Sequence, residues 1–113
     1  MKTAAKLFTI IALTAAATGV LAQNAQHGSE STKEFRAADM NMMKNMEAAP
    51  YTGNPDVDFR THMMPHHEGA IAMAKIALKN AGDVETKQMA QKIIDDQEKE
   101  VVDMRAWLRK NGH

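Results

Sequence analysis

The run His62-Met63-Met64-Pro65-His66-His67 places three imidazoles and two thioethers within six residues. Imidazole is a borderline metal ligand and thioether sulfur a soft one, so the mixture favours copper, Cu(I) above all, with Cu(II) admitted at the histidines, over calcium or magnesium. The chain has no cysteine, which excludes thiolate sites and disulfides. Methionine in that role also suits an oxidising compartment, where a thiolate would risk disulfide formation.

Spacing supports the same chemistry. On a continuous helix His62 and His66 stack four apart, as do Met63 and His67, and Met73 follows seven residues past His66. A lone histidine on an apolar face is more often a hydrogen-bonded core residue than a ligand, and methionine is a ready core filler, the better explanation of Met42, Met43 and Met46 taken alone. Two adjacent histidines flanked by methionines and a proline are harder to place in a plain core. Glu100, on a later segment, falls among apolar positions. A buried carboxylate needs a partner, so it either bonds His66 or His67 from behind and fixes the ring tautomer, or ligates directly.

Other chemistries lack their residues. His67-Glu68 opens like a zinc-protease motif, but Ile71 stands where the second histidine belongs. No glutamate is followed three residues later by histidine, as di-iron carboxylate bundles require. No serine or cysteine nucleophile has support, and the expectation is a binder, not an enzyme.

The elements that position these residues begin after a leader. Lys2 and Lys6 precede an uncharged apolar stretch from Leu7 to Leu21, with small residues at Ala22, which reads as a secretory signal peptide over 1–22. Its removal from 113 residues leaves 91, enough for one modest domain. His27 would then be fifth, so an amino-terminal copper chelate with histidine third is not set up. The leader also takes two of the 14 basic residues against 14 acidic ones, leaving 12 − 14 = −2. That balance gives no case for nucleic acid or an anionic membrane surface.

Residues 23–30 read as a disordered lead-in, and 31–113 as a helical metal-binding domain. Ser31 to Glu34 has capping-box spacing, predicting a first helix to Ala48, stopped by Pro50. Asn54 caps a second helix with Pro55 in its first position, ending near Asn80 with Gly82 as stop. Asp83 caps a third that has no breaker until Gly112. Turned at 100° per residue, the second helix groups Phe59, Met63, His66, His67, Ala70, Met73 and Ala74 on the core side, with His62 at the edge. The third groups Met89, Ile93, Gln97, Glu100, Met104, Trp107 and Leu108. Pro65 should cost about 3 kcal/mol inside a helix and could kink it so that the cluster converges; alternatively the second helix begins there. The short link at Ala81-Gly82 makes an antiparallel pair, and the first helix is expected to complete a three-helix bundle. The fold class is all-α.

Thr52-Gly53-Asn54-Pro55-Asp56-Val57-Asp58-Phe59, the run from Met63 through His66-His67-Glu68-Gly69-Ala70 to Ala74, and Gln97, Glu100, Met104 and Trp107-Leu108 resemble domain-of-unknown-function family 305. The resemblance covers roughly residues 40–111. It implies a ferritin-like helical fold and a periplasmic copper-binding protein acting in copper tolerance, and carries over Met63, His66, His67 and Met73 as ligand candidates. Met42, Met43 and Met46 correspond to the family's methionine-rich lead helix. His62 is not a reliable part of the pattern, and Glu68 stands where many members have glutamine. The partners implied are the copper ion and another periplasmic copper carrier or exporter, with no membrane contact after cleavage and a homo-oligomer left open. The competing expectation is a metal-free interaction module with a methionine-rich partner-binding face.

Overall fold

The computed structural model describes residues 15–113, and three helices account for most of them: α1 (Ala15–Ala48), α2 (Pro55–Asn80) and α3 (Val84–Lys110). The protein is an all-α antiparallel helical bundle, with no strand among the described residues. The leader expected over 1–22 lies largely outside them.

Local chemistry sets most boundaries. The Asn54 side chain accepts from the Asp56 amide at 2.9 Å, with Pro55 at the first helical position, so one otherwise unpaired donor of the first turn is satisfied. Asp83 does the same for α3, accepting from the Thr86 amide at 2.8 Å and its hydroxyl at 2.7 Å. Helix α2 closes on an extended Ala81. Gly82 does not adopt the left-handed conformation expected of a glycine stop; only Gly53 and Gly112 do, at φ 85° and 83°.

Two boundaries differ from expectation. Helix α1 starts well before Ser31, so residues 23–30 are helical in place of an irregular lead-in. The hydroxyls of Ser31 and Thr32 donate to the carbonyl of Gly28, three and four residues back. That bonding belongs inside a helix and leaves no capping box. At Pro65, α2 continues without interruption, which excludes a helix start there; Pro65 is buried.

Helix α2 is the middle element, packed on both α1 and α3, which among the described residues make no close backbone approach to each other. The third helix therefore adds a layer and does not close the bundle. Between α2 and α3 the core is Ala74, Ala90 and Ile94 with Ile71, Ala77, Leu78 and Ile93 around them. The small side chains let the axes come close. The buried positions of α3 are Ala90, Ile94, Val101 and Leu108. Of the expected face Leu108 is buried, Ile93, Gln97, Met104 and Trp107 are partly buried, and Met89 and Glu100 are exposed, their places taken by Ala90 and Val101. Met89 is 63% exposed, and Phe59 of α2 is 62% exposed.

Against α1 the contact is steric. Gly69 faces Met42, and a Cβ built on that glycine would lie 2.5 Å from the Met42 sulfur and 2.9 Å from its Cβ. The glycine is the notch that admits the methionine. Further along, Lys79 and Asn80 bond Glu34 at 2.5 and 3.1 Å, fixing the antiparallel register of α1 on α2.

Candidate metal centre

Phe59, Met63 and His67 of α2 and Glu100, Asp103 and Met104 of α3 line one cleft of about 230 Å³. Antiparallel packing of α2 on α3 brings these residues together from positions far apart in sequence. Helical spacing sets Met63 below His67 directly, because the His67 Nδ1 lies 2.9 Å from the Met63 carbonyl oxygen. A carbonyl only accepts, so Nδ1 carries the proton and donates. The other ring nitrogen, Nε2, lies 2.5 Å from a carboxylate oxygen of Glu100; a carboxylate also only accepts, so this pair is held by a proton between them, which a metal binding at Nε2 would displace.

Of the two roles expected for Glu100, the hydrogen bond to a neighbouring imidazole is the one seen, at the His67 nitrogen that the backbone leaves free. The Glu100 side chain is also more exposed than expected, at 59% against 13% for His67, because the neighbouring Val101 takes the buried position. A cation entering the cleft would meet a ring nitrogen, a carboxylate and the thioethers of Met63 and Met104. That donor set fits copper: sulfur and imidazole for Cu(I), imidazole and oxygen for Cu(II). Among the described residues no three His, Asp or Glu side chains gather into a metal group, so a metal in this cleft would need the thioethers as ligands.

The remaining sequence candidates are dispersed. His66 was expected on the core side, yet it is exposed and lines no cleft described here; its ring lies edge-on to His67 with centroids 6.4 Å apart. Met73 faces a separate apolar groove with Phe35, Ala70, Ala74, Ala77, Met89 and Ile93. Met42 fills the Gly69 notch, and Met43 is 58% exposed. Met46 lines a third cleft with Glu47, Ala49, Pro50, Tyr51 and His62. The single cluster of the sequence thus divides, because adjacent residues on α2 point 100° apart and α2 packs on two neighbours.

Sequence reasoning missed the residues that build the link around His62. Asp58 accepts from the Thr52 amide and hydroxyl, both at 2.7 Å, and from the Gly53 amide at 3.0 Å. The Thr52 amide first, then its hydroxyl, hold the Asp58 carboxyl below the usual range despite some desolvation. Asp58 to Thr52 is a loop-to-helix contact with no periodic signal. The Asp58 main-chain carbonyl also meets His62 Nδ1 at 2.9 Å, a bond any residue four positions back would supply.

A family model described as Domain of unknown function (DUF305) matches residues 13–108, most of the chain. No curated protein matches it.

Proposed function

We propose a function from the premise that this chain belongs to the DUF305 family: it is a copper-binding protein that holds Cu(I), and Cu(II) more weakly, at the α2–α3 cleft and passes it on. The observation that carries this is the meeting of Met63 and His67 with Glu100 and Met104 in one cleft. Two soft sulfurs, one imidazole and one carboxylate suit a metal that is bound and released. The protein acts as a carrier or buffer and not as a catalyst. The lysine-flanked apolar leader supports a periplasmic location and a role in copper tolerance, with a copper carrier or exporter as the exchange partner. No described helix is long and apolar enough to cross a membrane.

Titration with Cu(I) against a chromogenic chelator tests this. The protein should withdraw Cu(I) from the chelator, and a Met63→Leu, His67→Ala double variant should lose that competition at the cleft. No withdrawal by the wild type, or no change in the double variant, would sink the proposal.

A second reading has its own observation. The apolar groove with Phe35, Met73, Met89 and Ile93, together with the exposed Met40 and Met43 of α1, suits a partner-binding module. Partner capture that is indifferent to copper chelators would favour it over the first.

A further inference from the structure

His62 is the second histidine that the fold holds in one orientation, and it is held for no purpose in the α2–α3 cleft. Its Nδ1 donates to the Asp58 carbonyl at 2.9 Å. Its ring stacks on Tyr51 at 4.0 Å between centroids and 18° between planes. Tyr51 is in turn fixed by the loop that Asp58 clasps at Thr52 and Gly53. The remaining nitrogen, Nε2, is shielded from solvent and has no hydrogen-bond partner.

A buried ring nitrogen with no partner is uncommon in a folded protein. With Nδ1 protonated, Nε2 offers a lone pair, the form in which imidazole ligates metal. The cleft beside it is lined by Met46, whose sulfur is the one thioether of that cleft, and by Glu47. Met46 belongs to the end of α1, and His62 to α2.

We propose that His62 Nε2 and the Met46 thioether form a second soft-cation site that takes Cu(I) or Ag(I) and ties the end of α1 to α2. The identity of the metal rests on the copper reading above; the donor pair does not share a residue with the α2–α3 cleft. Nitrogen and sulfur suffice for a monovalent ion of low coordination number, and the Glu47 carboxylate in the same cleft balances its charge. The site makes α1 docking depend on the metal, because one ligand comes from each helix.

Ag(I), which does not change oxidation state, is the probe. In ¹⁵N-imidazole spectra of the wild-type protein, His62 Nε2 should shift on Ag(I) addition. His62→Phe, which keeps a ring against Tyr51, should bind one equivalent fewer, and Met46→Leu should weaken that equivalent at least tenfold. A His62 resonance that stays put at saturating Ag(I), or an unchanged stoichiometry in His62→Phe, overturns the proposal. The spectra of the wild type decide even where a variant fails to fold. If His62 shifts while His67 does not, this site stands and the α2–α3 cleft reading falls; the reverse result sinks this site alone.

Discussion

His67 Nε2 and a carboxylate oxygen of Glu100 face each other at 2.5 Å across the α2–α3 cleft, although 33 positions separate them in the chain. The Met63 carbonyl occupies the opposite ring nitrogen. Anything that binds His67, proton or metal, therefore binds beside Glu100.

Glu100→Gln should separate the two oxidation states of copper. A carboxylate oxygen is a hard donor that contributes more to Cu(II) than to Cu(I), whereas the thioethers of Met63 and Met104 remain. Cu(II) affinity should fall on the order of tenfold, within the range seen when groups around a metal ligand are removed, and Cu(I) affinity by much less. Competition titrations in both states check this, and equal losses would remove Glu100 from the oxygen-donor role. The fold should change little, since the Glu100 carboxylate is more than half exposed, glutamine keeps a hydrogen-bonding oxygen, and contacts of such surface carboxylates contribute about 0–1 kcal/mol.

Gly69→Ala should destabilise the protein, although alanine is the better helix former by roughly 1 kcal/mol. The new Cβ would sit 2.9 Å from the Met42 Cβ, close to the α1 backbone, where rotating the side chain gives no relief. Overpacking of this kind costs about 1–3 kcal/mol, so the net effect is a lower Tm. Adding Met42→Ala should recover part of the loss. Thermal denaturation of the single and double variants measures both, and a Gly69→Ala protein as stable as wild type would refute the notch.

The helices, their antiparallel order and the caps at Asn54 and Asp83 were legible in the sequence because they depend on local signals: a side chain three residues from its amide, a proline, a change of period. The pairing of Met63 with His67 was legible for the same reason. The exposure of Met89 and Glu100 was not, because close packing on the alanines of α2 takes the small Ala90 in place of the larger Met89, and Val101 holds the buried position beside Glu100. Nor was the stacking of His62 on Tyr51, which depends on the α1–α2 link folding back over α2.

Asp58→Asn should loosen that link, and the effect should depend on pH. The hydrogen bonds from Thr52 and Gly53 lower the Asp58 carboxyl from its ordinary value. A group lowered in the folded state adds stability above its unfolded value and loses it as pH falls through the folded one. The wild-type protein should therefore have a higher Tm than the variant at neutral pH, and the gap should close in acid below the usual carboxylate range. Glu34, lowered by Lys79 and then Asn80, and Asp83, lowered by Thr86, act in the same direction, so only the difference between the two proteins isolates Asp58. A gap that persists unchanged in acid would show that the charge is not what holds the loop.

His66 and His67 are neighbours in sequence and should differ in binding. His67 has both ring nitrogens engaged in the cleft, one by the Met63 carbonyl and one by Glu100. His66 lies one residue, hence 100°, further round the helix and is exposed. His67→Ala removes the one imidazole that shares a cleft with Met63 and Met104. Cu(I) affinity there should drop at least tenfold, a lower bound for loss of a ligand given what loss of a supporting group costs. His66→Ala deletes a ring that faces solvent and should change that affinity by less than about threefold. The two variants should fold alike, because neither ring is part of the Ala74, Ala90 and Ile94 core. Parallel Cu(I) competition titrations decide it. If His66→Ala is as damaging as His67→Ala, copper draws both rings to one ion, and α2 must turn or unwind locally at Pro65 to let them converge.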